Sequence, residues 1–365
     1  MIEQNRLPFE KRFFASSNSS KGFNNDYPRC FGEDSGIQRL YVIKGGPGTG
    51  KSHFLKTVGR YAESVGYQTT YYHCSSDPAS LDGLRIEGEG KPCIGFLDGT
   101  APHVWEPTAI GVREEIINLG IFWDSERLRS QKQKILNLSA QKSQCYERAY
   151  AYLNACGSVD SVMDDLVKEC IKTTKLEALA KRLLVSSEEG QCFREIPAHL
   201  RSVGMSGCHF FHTYEEMAQR MGGEVVGIDE CYGVGYALTE ALWRRSIQKK
   251  LTVMVSRNPI HIQKIDGLFY PDTGLCLLVA DDEIVTRPHR RITLQRYLEQ
   301  EKFRSIRGEV RHHTKIANAL KESACRSLAS AGKFHFALES IYAAAMDFKA
   351  KEAFDQSFCR RTIVP

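Results

Sequence analysis

Gly45-Gly-Pro-Gly-Thr-Gly-Lys-Ser52 is the densest chemical signal in the chain. Glycines at 45, 48 and 50 clear side chains from a turn, so backbone N–H groups can converge on an anion at angles closed to other residues. The stretch fits G-x-x-x-x-G-K-[ST] at every fixed position. On this reading Gly45, Gly46, Pro47, Gly48, Thr49, Gly50, Lys51 and Ser52 cradle the phosphates of ATP. Lys51 reaches the β- and γ-phosphates and Ser52 places its hydroxyl on Mg²⁺. The bland alternative is a glycine-rich turn with a solvated lysine.

A metal held by one hydroxyl needs a carboxylate nearby. The apolar run Cys93-Ile-Gly-Phe-Leu-Asp98 ends in an acid, and Asp98 is the candidate for holding the Mg²⁺ shell or orienting a water. Its alternative role is to begin the turn Asp98-Gly-Thr. Thr69 to Tyr72 read as a strand, and His73, Ser75, Ser76 and Asp77 follow its carboxyl end, where open α/β sheets bind ligands. Asp77 is the candidate for positioning the attacking water, or for acting as base toward an acceptor hydroxyl. Equally, Asp77 before Pro78 can cap a turn, with His73 packed at its edge. His103 belongs to the same rim.

These residues need a strand, a loop and a helix in that order. Leu40 to Ile43 form a short apolar run suited to a buried strand of a parallel sheet. Phe54, Leu55, Val58 and Tyr61 recur at helical spacing, which predicts a helix from near Lys51 to about Ser64.

The second half repeats the first faintly. Gly48-Thr-Gly-Lys-Ser52 aligns with Gly233-Val-Gly-Tyr-Ala237, Leu81-Asp-Gly-Leu84 with Ile265-Asp-Gly-Leu268, and Cys93 to Asp98 with Cys276 to Asp281. The apolar run before each loop also matches, Leu40 to Ile43 against Val225 to Ile228. The second copy carries Tyr236 and Ala237 in place of lysine and serine, and Glu230 beside Asp229 where the first glycine stands. Two carboxylates at that mouth repel a polyphosphate, so the second copy reads as degenerate. A rival role for Asp229 and Glu230 is as metal or base groups of their own.

The expected fold is therefore α/β: a P-loop NTPase-type parallel sheet with flanking helices, duplicated in two lobes. Charged stretches with helically spaced apolar residues follow each unit and predict an appended helical hairpin in each, at about 124–180 and about 294–358. The lobes divide into 1–190 and 191–365.

Composition bounds the rest. The 365 residues are 42% hydrophobic and 25% charged, enough for real cores and unlike a disordered chain. The longest apolar stretches, such as Gly274 to Ala280, fall far short of the ~20 residues of a membrane span, and the opening residues carry no apolar secretion core. Twelve cysteines without any C-x-x-C pair suggest neither a zinc motif nor a redox motif, and point to the reducing cytoplasm. Without export, the Asn18 and Asn137 sequons carry no glycan. The net charge of +5 is too mild to imply nucleic acid. Locally, residues 286–315 carry nine Lys or Arg against three Glu. Arg287, Arg290 and Arg291 could act as arginine fingers, or the cluster could bind an acidic partner or nucleic acid. A solvated helix face is the simpler reading.

The chain also resembles a family of bacterial two-lobed P-loop proteins loosely described as ATPases or nucleotide kinases. The residues carrying this are Ser17 to Phe23, Val42 to Ser52, His73 to Pro78, Leu81 to Gly83, Leu97 to His103, and Glu115-Ile-Ile-Asn-Leu-Gly with Trp123 shortly after. The resemblance implies a second lobe like the first, able to carry its own glycine loop, from which this sequence departs. The leading expectation is an Mg²⁺-dependent ATPase with Lys51, Asp98 and Asp77 as its reactive groups, driving movement of lobes or a partner. A nucleotide or small-molecule kinase and an ATP-sensing module with little turnover are the alternatives. No N-K-x-D element argues for guanine.

Overall fold

The structure is a computed structural model and describes residues 10–279 and 288–363. The first lobe runs β1 (Lys11–Phe14), β2 (Ser16–Ser19), β3 (Gly22–Asn25), α1 (Tyr27–Phe31), β4 (Arg39–Lys44), α2 (Lys51–Ser64), β5 (Gln68–His73), β6 (Leu81–Gly88), β7 (Lys91–Asp98) and β8 (Glu114–Asn118). Six of these strands form one sheet in the order β1-β5-β6-β7-β4-β8. β4 lies inside it, between β7 and β8, and buries Leu40, Val42 and Ile43 completely. α2 lays Phe54, Leu55, Val58 and Ala62 on that sheet, a stripe at the 3.6-residue period.

The sheet is mixed, which corrects the expected parallel one: β6 runs antiparallel to both β5 and β7, while the other pairs are parallel. The cause is local. Only Glu89 and Gly90 separate β6 from β7, Gly90 takes φ 69°, and a parallel crossover needs a dozen or more residues.

The chain leaves this sheet through α3 (Ser125–Ser130), α4 (Lys132–Lys168) and α5 (Thr173–Leu183). The second lobe then repeats the first: β9 (Arg194–Pro197), β10 (Arg201–Gly204), β11 (Gly207–Phe210), α6 (Thr213–Met221), β12 (Val225–Ile228), α7 (Val234–Gln248), β13 (Thr252–Arg257), β14 (Ile265–Tyr270), β15 (Leu275–Val279) and β16 (Arg290–Ile292). Its sheet order, β9-β13-β14-β15-β12-β16, reproduces the first with β14 as the antiparallel strand. A small hairpin follows the first, edge strand of each sheet, β2 with β3 after β1 and β10 with β11 after β9.

Two further helices close the chain, α8 (Gln300–Ala344) and α9 (Phe348–Thr362). The expected hairpin in each lobe is replaced by one long helix from each half, α4 and α8, packed against one another. At 37 and 45 residues they span about 55 and 67 Å. Each overshoots its own lobe and delivers the next helix to the other. Leu176, Leu179, Ala180 and Leu183 of α5 therefore sit in the core with α7, while Phe358 and Cys359 of α9 sit in the core with α2. Main-chain bonds fix both crossings: Asp124 N–H donates to Ala345 O at 2.7 Å and Glu299 N–H to Cys170 O at 2.8 Å. A third core joins the lobes directly, with Tyr27, Phe31 and Leu97 against Tyr214, Val225 and Phe269.

Among the described residues no helix is long and apolar enough to cross a membrane.

Candidate functional site

The loop 45–50 leaves β4 at the carboxyl end of the parallel trio β7-β4-β8 and enters α2 at Lys51. Gly48 and Gly50 take φ 70° and 82°, the left-handed region that glycine enters without strain. Thr49 folds inward, its hydroxyl donating to Gly46 O at 2.8 Å. Lys51 Nζ donates to Gly45 O and Gly46 O, both at 2.9 Å, and stands 3.6 Å from Asp98. Asp98 pairs in register with Ile43, which places it beside the loop. Its Oδ1 accepts from Thr100 N–H at 2.9 Å and the Thr100 hydroxyl at 2.6 Å. Asp98 thus starts its turn and also neighbours Lys51.

Ser52 Oγ accepts from Leu81 N–H at 3.0 Å, which ties the head of α2 to the first residue of β6. The next residue, Asp82, was not singled out as a site residue by the sequence. Its carboxyl is buried, its Oδ2 makes no hydrogen bond, and His103 Nε2 stands 3.3 Å away. Burial pushes this carboxyl up to about 6; His103 and Lys51 oppose the rise and the Asp98 charge adds to it. His103 is buried beside Asp82, edge-on to Phe23 and Tyr27. Lys44 holds its loop, donating to Gly99 O and Trp105 O. The one sequence signal for Asp82 was the repeat. Its counterpart Asp266 is also buried but bonds Arg201 at 3.3 Å and Asn258 at 3.1 Å, whereas Asp82 keeps an orphaned oxygen.

Ser52, Asp98 and Asp82 make a set of hard oxygen donors, the type that suits Mg²⁺. The buried Asp82 Oδ2, which faces His103 at 3.3 Å without a hydrogen bond, fits a cation there.

The segment after β5 faces elsewhere. His73 Nδ1 lies 2.7 Å from Pro78 O, and its ring packs on Phe14 and Phe211; burial lowers its pKa to about 4. Ser75 bonds Ser16, and Ser76 accepts from Tyr146 of α4. Asp77 accepts from the Ser80 hydroxyl at 2.7 Å and faces Ala79 N–H at 3.4 Å, so it serves its own turn. Among the described residues it makes no bond or ion pair with Lys51, Ser52 or Asp98.

What covers the loop comes from the far end of the chain. A Cβ on Gly46 would lie 2.8 Å from the Tyr342 ring, one on Gly48 2.5 Å from Glu339 O, and one on Gly50 3.0 Å from Lys351 Cε. The Glu339 carboxyl is held below its usual range, chiefly by its bond with His335 and also by Lys51 and the Gly48 N–H. Lys351 is buried and pairs with Asp355 at 2.5 Å. No local pattern links residues 339–351 to a loop at 45–50, so sequence reasoning missed them.

In the second lobe Gly233, at φ 89°, caps α7 as Gly50 caps α2, so the structure corrects the sequence alignment: Val234 stands at the first helical position that Lys51 takes, and Tyr236 lies two residues further in, with Lys264 over its ring. Glu230 accepts from Gly233 N–H, and burial raises its carboxyl. Arg290 pairs with Glu224 at 2.9 Å, and Arg291 lies 3.9 Å from Asp229, so both serve their own lobe. Asp281, Thr286 and Arg287 lie outside the described residues. Arg304, Arg307, Arg311 and Lys315 are exposed on α8.

No family model, curated protein or solved structure matches the chain. The glycine turn thus has the Lys51 and Lys351 ammoniums at its edge and the buried carboxylates of Asp98 and Asp82 near Lys51.

Proposed function

We propose that the first lobe binds ATP with Mg²⁺ as a P-loop NTPase and hydrolyses it, coupling turnover to movement between the lobes or of a partner. One observation carries this reading: Lys51 closes a glycine loop between a buried strand and a helix, 3.6 Å from Asp98. The resemblance to two-lobed bacterial P-loop proteins supports the same reading.

The residues divide the work. Loop N–H groups and the head of α2 bind phosphate oxygens, and Lys51 turns from the Gly45 and Gly46 carbonyls to the β- and γ-phosphates. Ser52 and Asp98, with Asp82 beside them, would hold the Mg²⁺, which would supply positive charge against the phosphates. With Asp77 committed to its own turn, the water-positioning role moves to Asp82, whose carboxyl accepts a proton near neutral pH. A buried acid of that kind equally suits a nucleotide or small-molecule kinase, where it would deprotonate the acceptor hydroxyl.

The α8 turn resting on Gly46 and Gly48 favours the coupling, because a bound triphosphate must share or displace it. It also supports the ATP-sensing reading, in which binding moves α8 with little turnover. Under the same proposal the exposed basic face of α8 is where an acidic partner or nucleic acid docks. Twelve free thiols suit a reducing cytoplasm.

Phosphate release with Mg²⁺ and ATP separates these readings. Steady release abolished by Lys51→Ala supports the ATPase. Release that waits for an added metabolite, with phosphate found on it, supports the kinase. Affinity without release supports the sensor.

A further inference from the structure

Cys156 and Asp160 lie one turn apart on α4 and point to the same side, where the loop after β13 brings His261. Their ligand atoms all lie within 4.8 Å of one another. We infer that Cys156, Asp160 and His261 form a binding site for a thiophilic divalent ion of the Zn²⁺ class, which clamps the long helix to the second lobe. This site is separate from the glycine loop and does not depend on its assignment.

The donor set decides the ion. One sulfur, one imidazole nitrogen and one carboxylate oxygen suit borderline-soft Zn²⁺ rather than Mg²⁺ or Ca²⁺, which favour oxygen alone. Three protein donors leave a fourth tetrahedral position for water. With metal bonds of about 2.0–2.3 Å, the donors need only small shifts to surround an ion.

The site is also built rather than incidental. Cys156 and Asp160 are buried, at 0% and 4% exposure. Asn258 Oδ1 accepts from the N–H groups of Ile260 and His261, both at 3.0 Å, which fixes the turn carrying the imidazole. Ser20 anchors the same turn through Ile260 O. His261 Nε2 lies 2.5 Å from Asp160 Oδ2, so the two groups are already paired and an ion must enter between them.

Two cations oppose the ion, Lys264, which Asp164 holds at 2.8 Å, and Lys321, both acting on Asp160 and Cys156. Lys321 of α8 stands 3.8 Å from Asp160, and its side chain is 38% exposed, so it can swing to solvent when the ion enters. The Cys156 thiol, which now faces Asp160 Oδ2 at 3.6 Å and Ala317 O at 3.7 Å, gives its proton to solvent as the sulfur binds.

The test is a Co²⁺ titration of the full chain, prepared without a metal-affinity tag and stripped with chelator. The inference expects visible bands and a near-ultraviolet thiolate charge-transfer band saturating at one equivalent, with Zn²⁺ abolishing both. Cys156→Ser should lose the charge-transfer band. His261→Gln, on a loop and less able to disturb the helix pair, should weaken binding at least tenfold. Lys321→Ala should tighten it several-fold. Absence of a charge-transfer band in the parent, its survival in Cys156→Ser, or unchanged affinity in His261→Gln overturns the site.

Discussion

Gly48 and Glu339 are in contact across nearly the whole length of the chain: a side chain at 48 would start 2.5 Å from the Glu339 carbonyl oxygen. The last turns of α8 therefore rest on the glycine loop, and the Glu339 carboxylate, held first by His335 and then by Lys51 and the Gly48 N–H, stands as an anion beside it. Under the proposed function, nucleotide and helix compete for the same positive ground.

Glu339→Gln removes that competitor. Because the side chain is partly exposed, the gain is that of a screened pair, ~1 kcal/mol or roughly fivefold tighter ATP binding. Calorimetry on both proteins checks this, and unchanged affinity would break the link between α8 and the loop.

Asp82 should give the site a pH dependence. Its carboxyl ionises at about 6, so Mg²⁺-dependent ATP binding should strengthen as pH rises through 6 and flatten in Asp82→Asn. Stability moves the other way. The folded state keeps a proton that the unfolded chain loses at ordinary carboxylate pH, so this group makes the fold less stable as pH rises from about 4 to 6. Urea midpoints across that window should lose this slope in Asp82→Asn.

His73 contributes the opposite slope. Its folded pKa of about 4 lies below the ordinary histidine value. Its contribution is present at neutral pH and is lost as pH falls from about 6.5 through 4. His73→Phe should unfold with a flatter acid limb, measured by the same urea series.

The exchange of α9 onto the first lobe carries its own prediction. Phe358 packs on Tyr41, Phe54 and Phe96 and is 4% exposed. Phe358→Ala should cost about 3–5 kcal/mol. Tryptophan and circular-dichroism melts should show the loss; a change under 1 kcal/mol would mean that α9 is a loose attachment.

The sequence made local things legible and left distant ones dark. The glycine spacing placed the loop, and the stripe from Phe54 to Tyr61 placed α2 at the bounds it takes, because both signals lie within one turn or one period. Repeated glycines at 48 and 233 announced the second lobe for the same reason, two residues out of the register in which Gly233 matches Gly50. Strand direction at β6 was readable too, from the two-residue link Glu89-Gly90, but the apolar pattern of a buried strand is silent about direction. The burial of Asp82, the turn that engages Asp77 and the cover from Glu339, Tyr342 and Lys351 depend on contacts that no periodicity encodes. The pairing of α4 with α8 hides in the same way, since an amphipathic stripe states that a partner exists and not which.

The account stands most directly on calorimetry of ATP with Mg²⁺ against the parent chain and Lys51→Ala. It predicts a saturable heat in the parent and binding weakened roughly tenfold to a hundredfold in the variant, as befits the loss of a charged phosphate contact. No heat with the parent, or equal affinity in both, would contradict it.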